Sequence, residues 1–152
     1  MSYCLRAMTV QDIPQVVEIE KKCFSTPWSE YAFTCELSDN QLARYLIVTD
    51  KEEPLKVMGY GGMWLICDEA HITNIAITPA YRGLGLSLLL MEGLITLAKS
   101  EKAERMTLEV RISNEVAQDL YRKLHFVAAG IRPGYYTDNH EDALIMWKEL
   151  WS

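Results

Sequence analysis

Apolar residues recur along this chain at two spacings, and the switches between them mark out its elements. Ile13, Val16, Val17 and Ile19, running on to Glu20, fall at helical spacing, and predict a helix over about residues 10–23, after a short strand near residues 3–6. Thr9 followed by Asp12 has the form of a capping box at its start. Thr26-Pro27-Trp28-Ser29 then breaks the pattern, and Ser29 with Glu30 predicts the cap of a second helix that ends near Leu37.

Residues 45–49, 56–66 and 70–78 are rich in Val, Ile, Tyr, Trp and Met, with breaks at residues 51–54 and at Cys67-Asp68-Glu69. They read as consecutive antiparallel strands. Residues 83–99 return to helical spacing, with Leu86, Leu89, Leu90, Leu94, Leu97 and Ala98 on or near one face. A strand over 105–111, a helix opened by Ser113 or Asn114 and running to Leu124, and strands over 126–131 and 143–148 complete the order. The expected fold is α/β, a mixed sheet of about seven strands with four helices on both faces. No linker or repeat interrupts residues 1–152, which are read as one domain.

Composition narrows the function classes. The formal charge is −6 and Lys and Arg are not clustered, which argues against non-specific nucleic-acid binding and is compatible with a basic polypeptide partner. No run approaches the ~20 apolar residues of a membrane span, and no basic segment followed by an apolar run opens the sequence. A cytoplasmic monomer is expected. Cys4, Cys23, Cys35 and Cys67 are widely spaced and lack neighbouring ligands, so reduced, buried thiols are expected; His71 and His140 also lack ligand spacing, and no metal is assigned.

The strand ending near Thr78 meets the next helix through Pro79-Ala80-Tyr81-Arg82-Gly83-Leu84-Gly85-Leu86-Ser87. A glycine-bearing turn at a helix start suits an anion, although the same glycines also suit a plain strand-to-helix connection. There is no GxxxxGK[ST], and Leu88 stands where a dinucleotide fingerprint needs its third glycine.

The segment from Arg82 to Ser87 resembles the [QR]xxGx[GA] signature of the GNAT superfamily, with Ser87 in place of the usual Gly or Ala. Further matches at residues 24–33, 68–83, 106–114, 120–126 and 134–147 are similar to the RimI-type ribosomal-protein-alanine N-acetyltransferases of that superfamily. The resemblance implies acetyl-CoA as cosubstrate and the N-terminal amine of a protein, that of a ribosomal protein, as acceptor. It implies that Arg82, Gly83, Leu84, Gly85, Leu86, Ser87 and Leu88 hold the pyrophosphate, that the main chain of Ile75, Ala76 and Ile77 pairs with the pantetheine arm, and that Asn114 contacts the cofactor.

Acetyl transfer to an amine needs a base for the amine and a proton for the departing thiolate. Glu109 shares a strand face with Thr107 and Arg111, opposite Met106, Leu108 and Val110. By pattern alone it is an exposed carboxylate beside a cation; the resemblance implies the general base. Tyr121 falls on a stripe with Val116, Ala117, Leu120 and Leu124 and reads by pattern as a packing residue, whereas the resemblance implies the acid that protonates the thiolate. Trp28, Tyr135 and Tyr136 are implied walls of the peptide slot, with core packing the competing reading for Trp28. His125 stands where the family usually has Gly at a left-handed helix stop. Two alternatives stay open: acetylation of a small amine or lysine side chain, and a non-catalytic acyl-CoA-binding module.

Overall fold

The computed structural model describes residues 2–151. Its seven strands are β1 (Tyr3–Ala7), β2 (Ala43–Asp50), β3 (Gly59–Ile66), β4 (Glu69–Ile77), β5 (Arg105–Arg111), β6 (Val127–Arg132) and β7 (Ala143–Glu149). Four helices, α1 (Ile13–Cys23), α2 (Glu30–Ser38), α3 (Leu86–Ser100) and α4 (Glu115–Lys123), are joined to them in the expected order. The strands form one sheet in the order β1-β2-β3-β4-β5-β7-β6. Every pairing is antiparallel except β4 with β5. No described helix is long and apolar enough to cross a membrane.

Two cores sandwich the sheet. On one face α1 and α2 bury Ile13, Val16, Val17, Ile19 and Phe33 against Tyr45, Ile47, Tyr60 and Ala76. Phe33 meets Trp28, Tyr45 and Tyr60 at ring-centroid distances of 5.4, 6.2 and 5.8 Å, two of them edge-on, an arrangement worth about 0.5–1.5 kcal/mol per pair beyond area. On the other face α3 and α4 cover Met63, Met106, Leu108, Val110 and Met146. The apolar spacing in each helix is what turns it toward its own face.

Several boundaries differ from the sequence expectation. A 3-10 turn over Val10–Asp12 precedes α1, and Asp12 accepts from the Thr9 amide while also binding Arg6 at 2.8 and 2.9 Å. The third helix begins at Leu86, three residues later than expected, because Gly83 and Gly85 take left-handed conformations (φ 81° and 78°) that a right-handed helix cannot contain. In α4 the inward residues are Ala117, Gln118, Tyr121 and Leu124, while Val116 is 84% exposed and lies off the stripe assigned to it. The thiols are not buried as expected: Cys4, Cys23 and Cys35 are half-buried and Cys67 is exposed in the turn between β3 and β4. His125 has φ 72°, the strained stop that its sequence position suggested.

Candidate active site

The parallel pairing of β4 with β5 covers only Glu69 to Arg105, Ala70 to Met106 and His71 to Thr107. Immediately afterwards the register of β4 with β3 shifts: Met63 faces Ile72 and Gly62 faces Asn74, so Thr73 is an extra residue bulged out of β4. A bulge bends its strand and sharpens its twist. Past it, β4 keeps its bonds to β3 while Leu108, Glu109, Val110 and Arg111 pair only with β7. The sheet therefore opens into a V, and the edge of Ile75, Ala76 and Ile77 that faces β5 has no strand beside it.

At the mouth of the V the chain makes the turn Pro79–Tyr81 and enters α3. Gly83 and Gly85 hold φ near +80°, and a Cβ added at either would meet nothing within 4 Å. Conformation, rather than space, requires glycine at both. Among the described residues the amides of Gly83, Leu84, Gly85, Leu86, Ser87 and Leu88 have no protein acceptor; the first of this run to have one is Leu89, which donates to the Gly85 carbonyl at 3.2 Å. Unpaired amides at the positive end of a 15-residue helix suit a phosphate. Arg82 reaches α1, donating to Cys23 Sγ at 3.4 Å, and Cys23 Sγ donates to the Ile77 carbonyl at 3.4 Å. Cys23 is thus the thiol beside this turn. Cys67 sits at the opposite end of β4.

Glu109 lies on the β5 lip, on the α1/α2 face, its side chain 21% exposed and 3.6 Å from Arg132 Nε. Tyr121 comes from the opposite face. Its ring packs edge-on against Phe126 at 5.9 Å and burial pushes its phenol up to about 12. No protein group hydrogen-bonds its hydroxyl among the described residues. Tyr135 and Tyr136 stand at 5.0 Å and 88° to each other, with the Arg111 guanidinium 4.0 Å from the Tyr136 ring centre. Burial raises both phenols, and the Glu109 carboxylate raises each further; Tyr136 also senses Tyr121. Arg132 stands between Glu109 and the Tyr135 ring, and Tyr135 packs on Tyr136, so Glu109, Tyr135 and Tyr136 are gathered at one place, with Tyr121 in electrostatic reach of Tyr136. Asn114 caps α4, its Oδ1 accepting from the Ala117 amide at 3.1 Å.

Between α1 and α2, Trp28 is half-buried against Phe33. The preceding Ser25 donates to Asp138 at 2.6 Å, joining this loop to the β6–β7 loop. Asp138 and Glu141 both bind Arg111, at 2.8 and 3.2 Å. Hydrogen bonds from Ser25, then Arg111, lower Asp138; those from Ser113 bring Glu141 down to about 2.

Sequence reasoning missed this clasp, whose partners are far apart in the chain. It also missed Glu20, which is buried and binds Asn74 Nδ2 at 3.1 Å, with its second oxygen unbonded. Burial raises Glu20. The signal was present: Ile13, Val16, Val17 and Glu20 form one stripe, so a carboxylate interrupts an apolar helix face.

Comparison with known proteins identifies the family and the fold. The model of the Acetyltransferase (GNAT) family matches residues 13–126. A putative [ribosomal protein bS18]-alanine N-acetyltransferase of Bacillus subtilis is 47% identical over 143 residues, covering 94% of this chain and 93% of the relative. The [ribosomal protein bS18]-alanine N-acetyltransferase of Escherichia coli K12 is 36% identical over 144 residues, covering 93% and 94%. The crystal structure of the ribosomal-protein-S18-alanine N-acetyltransferase from Escherichia coli superposes with a TM-score of 0.87 at 32% identity, covering 98% of this chain and 94% of that one.

Proposed function

The chain belongs to the acetyltransferase (GNAT) family, and from that premise we propose that it acetylates the N-terminal α-amine of a protein, the N-terminal alanine of a ribosomal protein, using acetyl-CoA. The observation that carries this reading is the V between β4 and β5, with unpaired amides at its mouth and Glu109 on its lip. Those features fit the cosubstrate: residues 83–88 suit its pyrophosphate, and the free edge of Ile75, Ala76 and Ile77 suits the amides of its pantetheine arm. Bound there, acetyl-CoA supplies an acyl group activated as a thioester. The side-chain amide nitrogen of Asn114, left over from its capping bond, is a further donor for the cosubstrate.

The protein's own groups then divide the work by face. A peptide α-amine has a pKa near 8 and arrives mostly protonated at neutral pH. Glu109, on the α1/α2 face, takes its proton directly or through one water. Tyr121, on the α3/α4 face, stays protonated across the neutral range because burial holds its phenol at about 12. Its hydroxyl gives that proton to the departing sulfur as the carbon–sulfur bond breaks, and the second proton shed by the newly acylated nitrogen restores the phenol through solvent. Trp28, Tyr135 and Tyr136 line the way in, and the Ser25–Asp138 bond fixes the two walls relative to each other. Transfer is direct, in a ternary complex; an acetylated Cys23 or Cys67 trapped without peptide would contradict this.

Thiol release from acetyl-CoA with peptides beginning Ala, Ser, Gly or Met, beside an α-blocked lysine peptide and spermidine, tests the acceptor class. Turnover with free α-amines only, greatest for small first residues, is expected. Turnover with lysine or spermidine alone would discard the protein-N-terminal reading.

A further inference from the structure

On the α1/α2 face a cavity of about 210 Å³ opens between Trp28, Ala32, Glu36 and Trp64. Glu36 accepts from Tyr45 Oη at 2.7 Å and Trp64 Nε1 at 2.6 Å on one oxygen, and from Asn40 Nδ2 at 2.7 Å on the other. An ionised carboxylate offers about four acceptor positions. Three are filled by neutral donors, and one remains on the oxygen that Asn40 holds. Among the described residues no Lys, Arg or His forms an ion pair with Glu36. A half-buried carboxylate without a counter-cation, set between two indoles, is complementary to a cation: the carboxylate supplies charge and a free lone pair, and the aromatic walls favour positive charge over neutral groups.

We propose that this pocket receives the side-chain cation of a lysine or arginine lying a few residues after the acetylated terminus of the substrate protein. This rests on the protein-N-terminal reading above, which it makes more specific. Trp28 belongs to the loop that walls the slot, and Tyr45 Oη, besides binding Glu36, lies 3.3 Å from Thr73 Oγ1 at the β4 bulge, so the pocket and the V share one hydrogen-bonded framework. Trp64 pairs with His71 and His71 with Thr107, two positions before Glu109. With strands ~4.8 Å apart and a rise of ~3.3 Å per residue, Trp64 stands about 12 Å from Glu109 along the sheet. An extended peptide covers that distance in about three to four residues. The chain's net charge of −6 favours the same partner at longer range.

The test measures binding without turnover, by intrinsic tryptophan fluorescence of the full chain titrated with α-acetylated alanine-first peptides. One peptide carries Lys or Arg at positions three to five, and its twin carries norleucine or citrulline there. The basic peptide is expected to bind about tenfold more tightly at low salt, an advantage that fades as salt rises. Glu36→Gln keeps an oxygen for Tyr45 and Trp64 and removes the charge; it should erase the preference while leaving the neutral peptide's affinity unchanged. Ala32→Lys, which places the protein's own cation at the cavity wall, should erase it too. Equal binding of the two peptides by the unaltered protein, including none by either, overturns the proposal, as does an equal loss for both in Glu36→Gln. Thiol release with the free-amine forms separates the two readings: charge-selective binding without acetylation removes the proposed reaction and leaves the pocket, whereas acetylation without charge selectivity removes the pocket alone.

Discussion

Across the V, residues 74–88 and residues 109–142 confront each other with different materials. The first stretch offers main chain: the free edge of Ile75, Ala76 and Ile77, then the run of unpaired amides through Gly83 and Gly85. The second offers side chains: Glu109 against Arg132, Tyr121 against Phe126, Arg111 between Tyr136, Asp138 and Glu141. A backbone site tolerates side-chain exchange wherever φ can be kept, and recognises a ligand by its phosphates and amides. A side-chain site depends on which atoms each residue carries, and the proposed acid, base and acceptor choice lie on that side.

The largest effects should come from the side-chain wall. Glu109→Gln should lower kcat/KM about 10²–10⁴-fold, the usual worth of a general base. The loss should be greatest at low pH and smaller near pH 8, where more of the amine is already neutral. Tyr121→Phe should cut thiol release by about 10²-fold. Acetyl-CoA affinity, followed by calorimetry, should stay near that of the unaltered protein in both; full activity in both would break the comparison on its catalytic side.

On the backbone wall the expected change is in cofactor affinity. Gly85→Ala meets no steric neighbour but must hold φ near +78°, at a cost of about 1–2 kcal/mol. If the turn responds by relaxing, KM for acetyl-CoA rises about tenfold by the same energy, with the peptide's KM unchanged. Leu84→Ala, at an exposed position free of that demand, should change neither. Equal damage from the two substitutions would show that side chains matter on this wall after all.

The clasp joining the loops should respond to pH in one direction. Asp138 and Glu141 are held below their ordinary values in the folded protein, Glu141 at about 2. Their contribution is therefore complete above the unfolded carboxylate range near 4 and is lost as pH falls through the folded values. Asp138→Asn should raise the peptide's KM severalfold at neutral pH and leave that of acetyl-CoA unaltered, read from initial rates with each substrate varied. The smallest effect lies outside both walls: His125→Gly relieves a positive φ and should raise stability by about 1 kcal/mol, or about 2–4 °C in Tm, without touching either KM.

Legibility in the sequence followed the same division. Elements declared by periodicity were found in the expected order, as in α1 with Ile13, Val16, Val17 and Ile19, and the capping oxygen of Ser29 sits where the pattern put it; of Ser113 and Asn114, both offered as openers of α4, Asn114 is the cap. The start of α3 was misplaced because glycine marks a turn without saying which sign of φ it takes. The roles proposed for Glu109 and Tyr121 come from resemblance, since their local patterns describe an exposed strand carboxylate and a packed phenol equally well. The V itself could not be read, because it depends on a one-residue bulge at Thr73 that only pairing with β3 reveals. Glu36 and the Ser25–Asp138 bond stayed hidden for the same reason: their meaning comes from partners distant in the chain.

The central claim is that the acceptor is a protein's α-amine brought to Glu109. It is tested most directly with one alanine-first peptide that carries both a free α-amine and an internal lysine, incubated with acetyl-CoA and the protein, the acetyl group being located by fragmentation mass spectrometry. The acetyl group is expected on the alanine nitrogen, with its formation far slower in Glu109→Gln at low pH. Acetylation of the lysine ε-amine instead would contradict that claim.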